Sequence, residues 1–271
     1  MTELERALRA RRDVGGRCFV PYVTGGLPGV DADLLRDLED AGADAIEVGI
    51  PFSDPVMDGG VVQEASRRAL ESGATPATVL DMVAAADLGV PVAAMTYVNP
   101  VYHRGYDAFL DAAQGAGVAG VIVPDLPVDE ASDWIERCAG RDIASVFLAA
   151  PGAAESRLRA IAKASTGFVY CVATYGVTGA RDTLEDTALG VVQALRPLTD
   201  VPLLVGVGIA TPEQATQACG FADGVIVGSA LMARMVDGDR DGCIELAARF
   251  RDAIPRSGEG STLPADRIST A

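Results

Sequence analysis

Apolar residues along this chain fall into short unbroken runs, and between the runs apolar and charged positions alternate at helical spacing. Unbroken runs of this length mark strands buried on both faces, and the segments between them mark amphipathic helices. Eight strands are predicted: Cys18–Thr24, Ala45–Gly49, Val92–Tyr97, Gly120–Val123, Ala144–Ala149, Gly167–Ala173, Pro202–Val207 and Gly224–Val227. Helices are predicted between them, among others over Asp31–Ala41, Tyr106–Ala116, Glu130–Ala139 and Glu155–Ala164. Strand and helix recur at roughly 20–30 residues, the spacing a parallel crossover requires. Eight such units predict a single-domain (β/α)8 TIM barrel of class α/β. An extra N-terminal helix, Glu3–Arg12, is expected to cover the bottom of the barrel, and a short helix opens at Ser229 after the eighth strand. The barrel is expected over residues 1–255. From Arg256 to Ala271 Ser, Gly, Glu and Pro take over, and a disordered tail is expected there.

Composition narrows the class. The chain has 271 residues, of which 49% are hydrophobic, ample for one barrel core. No run approaches the ~18 apolar residues of a membrane span, and the N-terminus is charged, so neither a membrane segment nor a signal peptide is expected. Five cysteines stand at no ligand or disulfide spacing, which fits a reducing cytoplasm and predicts no metal site. The formal net charge of −16 argues against nucleic acid as a partner. A phosphate must then be held by local backbone dipoles rather than by a positive field.

Candidate chemistry gathers where strands end. Gly206-Val-Gly208 and Gly228-Ser229 each follow an apolar run and precede a helix. Alone, each pair reads as a tight turn; two in succession after the last two strands read as a phosphate cup. Two strand-to-helix connections are long, Gly49–Gly60 and the segment from Tyr175 past Arg181, and both are expected at the catalytic end. Glu47 lies inside an apolar strand, where a carboxylate is costly unless paired, protonated or used. Asp54 and Asp58 follow on the loop, and both also suit turns. Glu47 opposite Asp58 fits acid–base work by two carboxylates in unlike surroundings. The single histidine, His103, is expected on a surface loop, and the single lysine, Lys163, at the end of a helix. Neither position suggests zinc or Schiff-base chemistry.

The segment Glu47-Val-Gly-Ile-Pro-Phe-Ser-Asp-Pro-Val-Met-Asp-Gly59 resembles the signature of the tryptophan synthase alpha subunit family. Met95-Thr-Tyr-Val-Asn-Pro100, Pro124-Asp-Leu-Pro127, Gly176-Val-Thr-Gly179 and Gly224-Val-Ile-Val-Gly-Ser229 resemble further motifs of that family, in order, over about residues 1–254. The resemblance implies cleavage of indole-3-glycerol phosphate to indole and glyceraldehyde 3-phosphate, with Glu47 and Asp58 as catalytic residues. It implies phosphate contacts at Gly179, Gly208, Gly228 and Ser229, and support of the two loops by Asp54 and Thr178. Phe19, Tyr22, Met95, Ile122, Leu148 and Tyr170 are expected either to wall an indole pocket or simply to pack the barrel. The resemblance further implies no cofactor in this chain and a pyridoxal-phosphate-bearing beta subunit as partner, in an alpha2beta2 heterotetramer. A free-standing indole-glycerol-phosphate lyase and a weakly active subunit that mainly activates its partner remain alternatives. Met57 stands where the family often has a small residue and Gly60 where proline is common, so both bear on loop closure.

Overall fold

Parallel strands pair in the order β5-β4-β3-β2-β1-β9-β8-β7-β6 in the computed structural model, which describes residues 1–173, 184–206 and 208–256. The strands are β1 (Cys18–Thr24), β2 (Ile46–Gly49), β3 (Val92–Met95), β4 (Val118–Ile122), β5 (Ala144–Val146), β6 (Leu148–Ala149), β7 (Val169–Val172), β8 (Leu203–Gly206) and β9 (Gly224–Val227). β5 and β6 are two pieces of the predicted fifth strand, interrupted at Phe147, whose carbonyl accepts from Tyr170 N at 3.0 Å. The two ends of the order thus meet, and the sheet curls into a TIM barrel.

The helices are α1 (Glu3–Asp13), α2 (Ala32–Asp40), α3 (Gly60–Glu71), α4 (Pro76–Ala86), α5 (Val98–Arg104), α6 (Tyr106–Gly115), α7 (Ser132–Ala139), α8 (Glu155–Ala164), α9 (Leu184–Leu195), α10 (Pro212–Cys219), α11 (Ser229–Val236) and α12 (Arg240–Ala253). Several expectations need correction. The third strand stops at Met95 rather than Tyr97, and the segment expected as a loop around His103 is the helix α5. The helix expected from Glu130 begins at Ser132, after a 3-10 turn over Val128–Glu130. Val207, the Tyr175–Arg181 segment and the tail after Arg256 lie outside the described residues.

α1 plugs the bottom of the barrel. Its Leu4 is fully buried against Gly120 and Gly167, where an added Cβ would stand only 2.6 Å and 3.0 Å from Leu4 Cδ2. Those glycines are therefore fixed by close approach. α4 and α10 start by the same chemistry, a threonine N-cap in a reciprocal capping box followed by proline.

Arginine does the stitching. Every ion pair among the described residues uses an arginine on the cationic side. Arg36, Arg68 and Arg17 donate to terminal carbonyls of neighbouring helices, at Ala86 of α4, Val236 of α11 and Cys219 of α10. At the bottom, Asp44 accepts from Arg11 Nε at 2.6 Å, from Phe19 N at 2.9 Å and from Arg251 at 2.8 Å. Arg251 is 1% exposed and also donates to the Ile254 carbonyl at 2.9 Å, tying the end of α12 to β1 and β2.

Candidate active site

A cavity of about 380 Å³ opens at the C-terminal ends of the strands, and Glu47 and Asp58 both line it. Glu47 points inward from β2 and is 1% exposed, and its Oε2 has no hydrogen-bond partner. Burial, reinforced by the charge of Asp58, pushes its carboxyl up to about 8. At neutral pH it is therefore a neutral acid.

Asp58 arrives on the loop from β2 to α3. It is half-buried, its N–H donates to the Pro55 carbonyl, and its own carbonyl accepts from Gln63 Nε2 at 2.9 Å. Burial pushes its carboxyl up to about 6, against a hydrogen bond from Tyr97 that lowers it. Tyr97 Oη donates to Asp58 Oδ2 at 3.1 Å and accepts from Met57 N at 3.0 Å. Neither Tyr97 nor Gln63 carries a role in the sequence reading. Tyr97 lies two residues past the end of β3, where strand alternation no longer places a side chain, and no signal in the sequence marks its contact with the loop. Asp54 is exposed and outside the cavity lining; its carboxylate accepts from Ser53 Oγ at 2.6 Å within the loop.

Of the six expected pocket walls, Tyr22, Met95, Ile122, Leu148 and Tyr170 line the cavity. Phe19 does not. It is buried on the outer face of β1, stacked on Phe250 of α12 with ring centroids 6.4 Å apart. Three residues separate it from Tyr22, and an odd separation along a strand places side chains on opposite faces. The two tyrosines fit because glycines face them: a Cβ at Gly49 would lie 2.2 Å from Tyr22 Oη, and one at Gly206 would lie 2.4 Å from Tyr170 Oη. Burial pushes both phenols far above their ordinary range, so they act only as neutral hydrogen-bonding groups.

The far end of the cavity suits an anion. Gly208, Gly228 and Ser229 line it, and Gly208 has a φ of 96°, a conformation glycine alone adopts readily. Gly228 is the N-cap of α11 and supplies no side chain to cap it, so the first-turn N–H groups of α11 are left open beside the cavity. α10 differs, because Gln214 accepts from Ala210 N and Thr211 N and closes that terminus. Gly179 and Thr178 lie outside the described residues. His103 is exposed on α5, apart from the cavity lining. Among the described residues no group of His, Cys, Asp and Glu is arranged to hold a metal ion.

Comparison with known proteins agrees with this geometry. The family model described as tryptophan synthase alpha chain matches residues 8–252. The tryptophan synthase alpha chain of Microcystis aeruginosa is 42% identical over 88% of this chain and 92% of its own length. That of Trichormus variabilis is 44% identical over 87% of this chain and 91% of its own. Among solved structures, Mycobacterium tuberculosis tryptophan synthase superposes with a TM-score of 0.86 at 35% identity, covering 95% of this chain and 99% of that one. The alpha subunit from Legionella pneumophila superposes with a TM-score of 0.84 at 31% identity, covering 93% and 98%. With an acid, a carboxylate loop and an open helix terminus around one cavity, and with relatives of this closeness along nearly its whole length, the chain belongs to the tryptophan synthase alpha chain family.

Proposed function

We propose that Glu47 carries out the acid–base work of the alpha reaction, the cleavage of indole-3-glycerol phosphate to indole and glyceraldehyde 3-phosphate, and that Asp58 stabilises the charge it creates. The observation that carries this reading is the unpartnered, protonated Glu47 facing the same apolar cavity as an ionised Asp58. Glu47 gives its proton to C3 of the indole ring, which leaves positive charge on the ring nitrogen. Asp58 stabilises that charge where water is excluded. Glu47, now a carboxylate, takes the proton of the adjacent glycerol hydroxyl. The carbon–carbon bond then breaks, its electrons return to the ring, and the aldehyde leaves with Glu47 reprotonated. Tyr22, Met95, Ile122, Leu148 and Tyr170 wall the indole, while Gly208, Gly228, Ser229 and the N-terminus of α11 hold the phosphate.

Glu47→Gln keeps size and polarity but transfers no proton, so indole release should fall at least ~10²-fold. Near-normal cleavage by the folded variant would remove Glu47 from this role.

The chain is further assigned a beta subunit as partner in an alpha2beta2 assembly in the cytoplasm, with pyridoxal phosphate carried by that subunit and not by this chain. The relatives named above are synthase alpha chains, so neither the free-standing lyase nor the activator-only subunit is favoured. Val56 and Tyr102, 77% and 76% exposed, are large apolar side chains beside the cavity loops and suit a partner surface. Indole production at saturating substrate should rise ~10-fold or more on adding a cognate beta subunit, a differential affinity of ~1.4 kcal/mol for the closed form. Fast turnover unaffected by that subunit would point to a free-standing lyase.

A further inference from the structure

One hydroxyl holds the loop that delivers Asp58. We propose that Tyr97 is a positioning residue for the alpha reaction, fixing the place of the Asp58 carboxylate and clamping the loop backbone beside it. This rests on the assignment of Asp58 above.

The geometry is two-sided. Tyr97 has one proton to donate, and it goes to Asp58 Oδ2 at 3.1 Å. The oxygen accepts from Met57 N at 3.0 Å, so the phenol is polarised by one neighbour as it binds the next, which strengthens both bonds. Rotation of the hydroxyl away from the carboxylate would still leave Met57 N on the same oxygen, so the loop backbone registers the ring itself. The ring is fixed in turn: Tyr97 is 3% exposed, lies 5.3 Å from the Phe52 ring, and is the N-cap residue of α5. The next amide, Val98 N, donates to Asp125 Oδ1 at 2.8 Å. A rigid element end therefore carries the tyrosine, and the tyrosine carries the loop. At residue 57 the loop uses the backbone N–H, which any side chain but proline's leaves available, while the methionine side chain is partly exposed at the cavity.

The surroundings of Asp58 give the clamp a second effect. The titratable groups facing it are Glu47 of β2, Tyr22 of β1, Tyr170 of β7 and Tyr97 itself, with Asp125 behind Tyr97. None of these supplies positive charge, and among the described residues no arginine, lysine or histidine pairs with Asp58. The hydrogen bond from Tyr97 is thus the contact that favours its ionised form against burial.

The test is Tyr97→Phe in the full-length chain, assayed for cleavage across pH and by amide hydrogen exchange. Loss of the donor raises the Asp58 pKa in the free enzyme, so the acidic limb of the kcat/KM profile should move to higher pH, and kcat should fall ~10-fold or more while KM changes little. Met57 N–H should exchange faster. Placing 3-fluorotyrosine at position 97 makes the phenol a stronger donor and should move the same limb to lower pH, which tests the idea even where the phenylalanine variant folds poorly. An acidic limb unmoved by both changes, or Met57 exchange unchanged in Tyr97→Phe, overturns the proposal. Asp58→Asn measured alongside separates the two readings: normal turnover there removes Asp58 from catalysis, whereas loss of turnover in Asp58→Asn together with parent-like kinetics in Tyr97→Phe removes only the clamp.

Discussion

Glu47 and Asp58 share a cavity but stand at different points on the pH scale, because Glu47 is wholly buried and Asp58 has the Tyr97 hydroxyl to offset its partial burial. The acid must hold its proton, so activity is lost as pH rises through about 8; Asp58 must be ionised to stabilise the indole charge, so activity is lost as pH falls through about 6. A bell with limbs near those values is expected in kcat/KM, which reports groups of the free enzyme. Stability follows the same sign. The Glu47 carboxyl is raised from 4.5, so its contribution is fully present below that value and is lost as pH rises towards about 8. Glu47→Gln should therefore melt at a higher temperature than the parent above pH 8, with the gap closing below pH 5, as thermal unfolding across pH would reveal. Glu47 was legible in the sequence because a carboxylate in an apolar run contradicts its surroundings. Tyr97 was not, since an aromatic residue at a strand end reads equally well as packing. Of the two roles open to Phe19, packing is the one it fills, and its odd spacing from Tyr22 already separates their faces.

At the scale of elements, the strands were legible because parallel barrel strands are continuous apolar runs, and α8 because its boundaries coincide with its amphipathic pattern. α5 was hidden by Pro100 and by its seven-residue length, too short to establish a periodicity. The break between β5 and β6 has no counterpart in the apolar pattern either, since Phe147 is apolar and buried and stands between the apolar Val146 and Leu148. Gly60 offers an element-level test. It is the first residue of α3, a Cβ there would meet nothing within 4 Å, and the preceding Gly59 has φ −71° and ψ 159°, which a following proline accepts. Gly60→Pro should stabilise the protein by ~0.5 to 1 kcal/mol through the unfolded state, measured as a rise in the denaturation midpoint. A fall would mean that the loop before α3 needs the freedom of glycine.

At the scale of the molecule, the barrel divides into a catalytic mouth and a bottom sealed by α1 and by the Arg251–Asp44 pair. That pair was not readable in the sequence, because its partners lie 207 residues apart and only closure of the barrel joins them. Arg251→Met leaves Asp44 buried with Arg11 as its remaining cation, and it also removes the donor to the Ile254 carbonyl. A cost of ~1 to 3 kcal/mol is expected, because Asp44 loses one of its two guanidinium partners and the Ile254 carbonyl loses its donor. Chemical denaturation would measure it. Because the damage is at the opposite end from the cavity, turnover of the surviving folded fraction should be unchanged.

The all-arginine stitching sets how this enzyme fails in alkali. Guanidinium groups keep their charge well past the pH at which a lysine-built shell would begin to come apart. The buried thiols do not intervene, with Cys243 pushed up to about 11 and Cys138 and Cys219 to about 12 by burial. Glu47 gives up its proton near pH 8, below the range of these thiols and guanidinium groups, so raising the pH silences the chemistry before the ion pairs come apart. Inactivation at pH 9 to 10 should therefore precede unfolding, and the stability lost there comes from the buried charge of Glu47 rather than from the ion pairs.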